Sequence, residues 1–356
     1  MKIAVDAMGG DFAPEQIVFG ALRAAKTIDC EIVLVGNEAR LRSLLDKERD
    51  WKKLPITVHP ASEVIGMDEH PADAVRQKKD SSVVVATRLV RDGVCDAVIS
   101  AGSTVVEGEA LVVFKRAPGA AVTAAQLILK RIRGIKRPAI ATPIPTPKGV
   151  TLLLDSGANV DSKPLHLLQS ALMGSIYSEL IFGAEEPRVG LLNIGEEETK
   201  GDELVKETYP LLQSMTTVNF VGNAEGRDVP KGNFDVVVCD GFVGNVVLKF
   251  GEGLAKTIGR LVKDEVKGSG FFTKLGAFLI KPALMRLAKK LDVTEYGGAP
   301  LLGVDGCCII SHGSSNAKAI CSAIRVANDF ARSKVLDRIR DAIVKEEMLR
   351  NDVEEN

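Results

Sequence analysis

Residues 307–316, CCIISHGSSN, join a run of four apolar residues to an abruptly polar ending. The run from Cys307 to Ile310 suits a buried β-strand, whereas small hydroxyls, a glycine, a histidine and an amide follow it. Similar short apolar runs alternate with longer amphipathic segments along the 356 residues of the chain. Because this alternation is typical of strands connected by helices, the sequence predicts an α/β fold with a largely parallel sheet.

The predicted strands are short and the predicted helices are long. Apolar runs predict strands at 2–5, 31–35, 96–99, 139–142, 151–154, 189–193, 235–239 and 307–310. Helical periodicity covers 14–27, 38–49, 71–79, 81–92, 165–182, 202–214, 246–267 and 316–347. The proline-rich stretch 137–149 could be a linker between two domains or a connection inside one domain.

Five other predicted strands end in the same way as 307–310, in polar residues and glycines. The six endings lie at 6–11, 100–104, 155–159, 195–202, 240–245 and 311–316. The carboxyl ends of parallel strands lie on one edge of a sheet, and α/β proteins bind ligands there. Glycines permit close approach of the backbone, and helix N-termini offer free N–H groups to anions. The sequence therefore predicts a cleft for a small anionic group at one sheet edge.

The composition argues against several classes of function. A net charge of -1 and only 4% aromatic residues give no reason to expect a nucleic-acid partner. The six cysteines form no C-x-x-C pair, so we expect free thiols in a reducing compartment rather than disulfides or zinc. The four histidines lack H-E-x-x-H spacing, which disfavours a metal site. With no signal-like N-terminus and no run of roughly 18 to 20 apolar residues, a cytoplasmic protein is expected.

Nucleotide binding and covalent catalysis by serine are also disfavoured. No G-x-G-x-x-G follows the first predicted strand, and no G-x-x-x-x-G-K-[ST] occurs. No G-x-S-x-G elbow surrounds Ser314 or Ser315, so these hydroxyls suit helix capping or phosphate binding better than nucleophilic attack.

Seven long motifs, in order over residues 1–335, closely resemble the bacterial phosphate acyltransferase family of phospholipid synthesis. They are MKIAVDAMGGDFAP, HPADAVRQKKDSS, DAVISAGST, LLLDSGANVDSKP, RVGLLNIGEEETKGDEL, DGFVGNVVLK and YGGAPLLGVDGCCIISHGSSNAKAI. The resemblance implies a Rossmann-like layered α/β fold of the isocitrate/isopropylmalate-dehydrogenase type, shared with phosphotransacetylases, in a homodimer without nicotinamide or another cofactor. It also implies a single catalytic domain over 1–335 that contains a protruding amphipathic helical hairpin at 250–295, followed by a charged helix end or tail at 336–356.

The resemblance implies transfer of a long-chain acyl group from acyl carrier protein to inorganic phosphate. The acyl phosphate product then serves a membrane acyltransferase of phospholipid synthesis. A phosphate oxygen must attack a thioester carbonyl, so the site needs donors for phosphate and for the developing oxyanion, and no enzyme nucleophile. Two alternatives remain open: a short-chain phosphotransacetylase that uses acyl-CoA, and a catalytically impaired membrane scaffold for acyl carrier protein.

By resemblance, Lys200 and Asn245 match the active-site residues of the family. Lys200 would hold phosphate or the oxyanion as a point charge, and Asn245 would donate an amide N–H. From the residues alone, a solvated loop lysine and a helix N-cap asparagine remain open alternatives. The further candidates for lining the cleft are Asp6, Gly9, Gly10, Asp11, Ser103, Thr104, His312, Ser314 and Asn316.

The sequence departs from the family pattern at two places. Phe12 stands where the family usually has histidine, so this position offers no general base. Residues 105–118, VVEGEALVVFKRAP, have the character of an insertion between Thr104 and the helix that resumes at Gly119. Such an insertion would separate the Ser103–Thr104 cradle from its helix, which is the basis of the scaffold alternative.

The segment 268–290 combines apolar residues at helical spacing with cations. Gly268 and Gly270 should end the preceding helix, and Pro282 should divide or kink the next one. Phenylalanines beside lysines suit the headgroup boundary of an anionic bilayer, which predicts a peripheral membrane protein near the downstream membrane acyltransferase. Packing in the dimer interface is the alternative. The predicted membrane contacts are Phe271, Phe272, Leu275, Phe278, Lys274 and Lys281.

Overall fold

The computed structural model describes residues 1–66, 69–102, 119–290 and 296–354, with side chains in 288–290 and 347–354 left out. The predicted site residues Ser103 and Thr104 and the predicted insertion at 105–118 therefore lie outside the described residues.

The described strands form two sheets, and the first of them has seven strands. They are β1 (Lys2–Asp6), β2 (Glu31–Gly36), β3 (Ile56–Pro60), β4 (Ala97–Ser100), β5 (Ala139–Ile140), β11 (Ala299–Leu302) and β12 (Cys307–Ile310). Their order is β3-β2-β1-β4-β12-β11-β5. β11 runs in the opposite direction to the other six strands of this sheet, so the predicted α/β fold with largely parallel strands is confirmed.

The second sheet has five strands. They are β6 (Thr142–Thr146), β7 (Gly149–Leu154), β8 (Arg188–Asn193), β9 (Asn219–Glu225) and β10 (Val236–Val238), in the order β6-β7-β10-β8-β9. The expectation of a single edge for all six polar endings is therefore wrong. Three endings follow β1, β4 and β12, and three follow β7, β8 and β10. The chain changes sheets at Ala141, between β5 and β6, and local sequence patterns do not reveal which strands pair.

Helices connect most of the strands. They are α1 (Glu15–Ala25), α2 (Glu38–Leu45), α3 (Pro71–Gln77), α4 (Ser82–Arg91), α5 (Ala120–Ala124), α6 (Pro164–Tyr177), α7 (Glu203–Ser214), α8 (Gly241–Gly268), α9 (Phe271–Lys290), α10 (Ala317–Arg332) and α11 (Val335–Glu354). The single helix predicted at 316–347 is thus two helices, which meet at Lys334 with φ +59°. Pro282 lies inside α9 and does not divide it.

Several helices begin at a side chain that satisfies their first turn. Asn37, Asp202, Asp240 and Asn316 each accept a hydrogen bond from a backbone N–H of the helix that follows. Such caps replace hydrogen bonds that the first turn cannot make within the helix. Three of the four belong to the predicted polar endings, so part of that pattern serves helix initiation.

One apolar cluster connects the two sheets. It includes Val5 of β1, Leu154 of β7, Phe330 of α10 and Ile339 of α11, all of them buried. Residues beyond the predicted boundary at 335 therefore contribute to the same core. The six cysteines are buried free thiols.

Candidate active site

Asp6 joins the loops that follow β1 and β4. Asp6 is only 2% exposed, and its carboxylate accepts hydrogen bonds from Ser100 Oγ at 2.7 Å and from Met8 N at 3.2 Å. Burial raises the pKa of the Asp6 carboxyl, while hydrogen bonds from Ser82 and Ser100 act in the opposite direction. Asp6 therefore holds the loops after β1 and β4 together, and its buried carboxylate presents little surface to a ligand.

The glycines after Asp6 allow neighbouring loops to approach closely. A Cβ on Gly9 would lie 2.5 Å from Asp6 Oδ2, and one on Gly10, where φ is +105°, would lie 3.0 Å from Gly313 O. The backbone N–H of Asp11 donates to Gly313 O at 2.9 Å. The structure thus brings Gly10 and Asp11 beside the loop that follows β12, and Gly9 against Asp6 and the loop that follows β4.

In that loop, His312 and Ser314 are exposed and form a pair. His312 Nδ1 lies 2.8 Å from Ser314 Oγ and accepts the Ser314 backbone N–H at 3.1 Å. A neutral ring with an accepting Nδ1 carries its proton on Nε2. Asn316 caps α10, and Ala317 N donates to Gln16 Oε1 at 2.9 Å. The Asn316 side chain and Gln16 thus bind the backbone N–H groups of Ala319 and Ala317 in the first turn of α10. The exposed side chains of His312 and Ser314 are therefore better placed than that turn to bind a ligand.

Asp155, directly after β7, organises the corresponding loop of the second sheet. Its Oδ1 accepts from the backbone N–H groups of Ile140, Gly157 and Ala158 at 3.0, 3.2 and 3.0 Å. Its Oδ2 accepts from Asn159 N at 2.7 Å and from Asn159 Nδ2 at 2.9 Å. Burial raises the pKa of this carboxyl, and these hydrogen bonds oppose the rise. Since Ile140 belongs to β5, Asp155 also ties the two sheets together.

The N-terminus of α8 rests on the Asp155 loop. A Cβ on Gly241 would lie 2.4 Å from Asn159 O, and one on Gly244 would lie 2.0 Å from Asp155 O. Glycine is needed at both positions because the backbone of the helix touches the loop. The glycines of the GFVGN motif thus serve helix packing rather than a turn.

Asn245 lies one turn inside α8, so its interpretation as an N-cap is wrong. Asp240 is the cap, and its Oδ1 accepts from Phe242 N at 2.8 Å and from Val243 N at 2.9 Å. The half-buried Asn245 side chain faces Gly157, where a Cβ would lie 3.6 Å from Asn245 Cγ. Its amide makes no hydrogen bond to the described part of the chain. The amide is therefore free to meet a ligand.

Lys200 is exposed on the loop between β8 and α7. The loop is shaped by Asn193, whose Nδ2 donates to Lys200 O at 3.1 Å, and by the α7 cap Asp202, which accepts from Val205 N at 2.9 Å. The Lys200 ammonium forms no ion pair with any residue described. β8 and β10 are paired in parallel, so the Lys200 loop and the first turns of α8, which carry Asn245, follow adjacent strands.

The predicted site residues therefore fall into two groups. Among the described residues, the first sheet supplies the Ser314 hydroxyl and the His312 imidazole, and the second supplies the free amide and the ammonium. Asp155 and Asn159 are important in the second group although neither was predicted as a site residue. The motif DSGAN, a carboxylate followed by small residues after an apolar run, was the available signal.

Comparisons with known proteins agree over nearly the whole chain. The sequence profile of a family described as "Fatty acid synthesis protein" matches residues 1–338. A phosphate acyltransferase of Desulfitobacterium hafniense (strain DSM 10664 / DCB-2) is 55% identical over 341 residues, covering 96% of this chain and 97% of that protein. The phosphate acyltransferase of Pelotomaculum thermopropionicum is 54% identical over 343 residues, covering 96% and 95%.

Solved structures of similar fold include phosphotransacetylases. One from Streptococcus pyogenes superposes with a TM-score of 0.60 at 17% identity, covering 93% of this chain and 94% of that one. EutD phosphotransacetylase from Staphylococcus aureus gives 0.57 at 16% identity, covering 92% and 94%. At such identities the likeness concerns the fold, and it confirms the fold shared with phosphotransacetylases that the motifs imply. On the sequence relationships, the chain belongs to the bacterial phosphate acyltransferase family.

Proposed function

We propose that this chain transfers a long-chain acyl group from acyl carrier protein to inorganic phosphate, which produces acyl phosphate. Membership of the family supports acyl transfer to phosphate, and the long-chain carrier-bound donor is the further step. The observation that carries the proposal is the pair formed by Lys200 and Asn245. Both follow adjacent parallel strands, and the described residues leave the ammonium and the amide without partners.

In the proposed reaction an oxygen of hydrogen phosphate attacks the thioester carbonyl carbon. Lys200 holds the phosphate by charge, and the Asn245 amide donates to the oxyanion that develops on the carbonyl. A carbon–oxygen bond forms, the carbon–sulfur bond breaks, and the proton lost by phosphate leaves with the carrier thiol. Phe12 has no ionisable group and takes no part in proton transfer, and the positioning of the two reactants contributes to the rate.

A donor assay tests this proposal. The purified protein is incubated with phosphate and either long-chain acyl carrier protein or acetyl-CoA, and acyl phosphate is trapped with hydroxylamine. We expect hydroxamate from the long-chain carrier donor. Product from acetyl-CoA alone would favour a short-chain phosphotransacetylase, and no product from either donor would favour a membrane scaffold.

We also propose peripheral contact with a membrane, through α9. Among the described residues no helix is both long and apolar enough to cross a bilayer. The exposed fractions of Phe271, Phe272 and Phe278 are 73%, 84% and 69%, and Lys274 and Lys281 are exposed beside them. Aromatic rings among cations suit an anionic bilayer surface, where acyl phosphate would pass to a membrane acyltransferase. A homodimer that covers part of α8 and α9 is proposed as well.

A further inference from the structure

Six exposed cations lie around the loop that precedes β5. We call this surface the basic face; it comprises Lys130, Arg131, Arg133, Lys136, Arg137 and Lys163. None of the six forms an ion pair with a described residue, and Asp161, near Lys163 in sequence, forms none either. In a chain with a net charge of -1, such a concentration of unpaired positive charge is local.

Lys163 belongs to the same surface although it precedes α6. Burial lowers the pKa of His166, and the charges of Arg137 and Lys163 lower it further. The backbone N–H of Lys163 also donates to His166 Nδ1 at 3.1 Å, so both cations lie near the same imidazole. This proximity joins the end of the loop to the start of α6 in one positive surface.

The loop is held rigidly by buried groups. Gln169 of α6, which is only 8% exposed, accepts from Lys136 N at 2.8 Å and donates to Gly134 O at 2.9 Å. The buried Ile132 donates its backbone N–H to Gly303 O at 3.0 Å. Because the backbone is fixed before a partner binds, little ordering entropy opposes binding.

The shape of the basic face favours a broad partner over a small ion. The loop borders an open pocket of about 500 Å³ lined by Gln126 and residues 130–136. All the cations at its rim are exposed, whereas a site that selects one small anion encloses it with buried donors. Spread and accessible cations are complementary to an extended acidic protein surface.

The basic face is connected directly to the candidate active site. Pro138, next to Arg137, accepts a hydrogen bond from Asn159 Nδ2 at 2.6 Å. The carbonyl oxygen of Asn159 is in turn the group against which Gly241 of α8 packs. A partner bound at the basic face would therefore lie close to the loop that supports Asn245.

We infer that the basic face is the docking surface for an acidic acyl carrier protein. This inference rests on the proposed function, since it identifies where the donor of that reaction binds. The negative surface of the carrier would meet the cations, and its flexible thioester-bearing arm would extend along the Asp155 loop toward Asn245. The cations would act mainly on the association rate, so binding should weaken as salt increases.

Charge reversal in the full-length protein tests the inference. In Lys130→Glu/Arg133→Glu, we expect kcat/KM for long-chain acyl carrier protein to fall about tenfold or more through KM, because like charges repel at the surface. Activity with a small acyl-pantetheine thioester should be unchanged. Lys136→Gln/Arg137→Gln, which only neutralises charge, should show a smaller effect in the same direction.

A matched control is Arg49→Glu/Lys52→Glu. These cations are also exposed and unpaired within the described residues, and they precede β3, at the opposite edge of the seven-stranded sheet from β5. The control changes the net charge equally and should leave the KM for carrier protein unchanged. The inference would be overturned if kcat/KM for carrier protein fell equally in Lys130→Glu/Arg133→Glu and in this control, or if it did not fall in Lys130→Glu/Arg133→Glu.

Direct binding separates the docking surface from the proposed reaction. If the wild type forms no acyl phosphate from carrier protein, the proposed donor is wrong whatever the variants do. Binding of unacylated acyl carrier protein, measured by fluorescence anisotropy at low salt, should still weaken in Lys130→Glu/Arg133→Glu. Equal binding by wild type and variant, no binding by either, or loss of inorganic phosphate binding alone would each contradict docking at this face.

Discussion

At the scale of single residues, the polar side chains near the strand ends of the five-stranded sheet are of two kinds. The carboxylates of Asp155, Asp202 and Asp240 accept hydrogen bonds from backbone N–H groups and so hold loops and helix ends in place. Asn245 and Lys200 have no such partners among the residues described. Polar groups that the fold leaves unpaired beside such fixed loops are the ones able to bind a ligand.

Replacement of Lys200 by alanine should lower kcat/KM for acyl transfer by on the order of 10²-fold, the scale of losing one transition-state donor. The melting temperature should hardly change, because the side chain is exposed and forms no ion pair with a described residue. Lys206→Ala, an exposed lysine of α7, is the matched control and should keep full activity. Normal kinetics in folded Lys200→Ala protein would remove Lys200 from the site.

For Asn245, the ranking of two substitutions is the test. Asn245→Ala removes a donor, whereas Asn245→Asp also places a negative charge beside the phosphate. We therefore expect Asn245→Asp to be slower than Asn245→Ala, with a higher KM for phosphate. Steady-state assays with varied phosphate measure both effects, and the reverse ranking would argue against an amide that faces the anion.

At the scale of elements, α9 exposes apolar side chains on two sides. Phe271, Leu275 and Phe278 recur at helical spacing on one side, and Ile280 and Leu284 are four residues apart on another. All are exposed in a single chain. Two apolar stripes allow α9 to meet a membrane and a second copy of the chain at the same time.

Substitutions in each stripe should separate these two contacts. Phe271→Glu/Leu275→Glu should reduce co-sedimentation with anionic vesicles at low salt, because carboxylates in the first turns of α9 repel an anionic surface. Ile280→Glu/Leu284→Glu makes the same change in charge on the other stripe and serves as the comparison. Vesicle binding and oligomeric state, from sedimentation and light scattering, are measured for both.

The membrane proposal requires that the first pair lose vesicle binding and keep the oligomeric state of the wild type. If the wild type and Phe271→Glu/Leu275→Glu sediment equally with vesicles, the membrane contact is wrong. If that pair instead becomes monomeric, its stripe belongs to an interface between copies of the chain.

At the scale of the whole molecule, Asp155 is the polar connection between the two sheets. It follows β7 of the five-stranded sheet and accepts a hydrogen bond from Ile140 of the seven-stranded sheet at 3.0 Å. The same carboxylate fixes the loop on which α8 packs. Damage to this residue should therefore affect stability and catalysis together.

The substitution Asp155→Asn should destabilise the fold by at least about 2 kcal/mol, because an NH₂ group replaces one accepting oxygen and leaves buried N–H donors unpaired. Urea unfolding provides the measurement. Asp161→Asn, at an exposed position, is the control and should change stability little. If Asp155→Asn has the same free energy of unfolding as the wild type, the Asp155 hydrogen bonds do not stabilise the connection between the sheets.

The sequence by itself determined the class of fold, most helices, the central strands and the family. Hydrophobic periodicity and strand-end glycines are local features, and long motifs identify relatives without knowledge of the fold. The missed strands β3, β6 and β9 lie at sheet edges, where only part of each strand is buried and the apolar signal is correspondingly weak. β11, an interior strand that contains Pro300, was missed as well.

Only the tertiary structure decided how the polar endings are distributed and what each residue does. It placed the endings on two sheets, assigned the α8 cap to Asp240 rather than Asn245, and gave Asp155 its role between the sheets. These outcomes depend on contacts between segments far apart in the chain, such as Ile140 with Asp155 and Asn159 with Gly241. Local patterns cannot specify such contacts, because they record the preference of a residue for a kind of environment and not which partner supplies it.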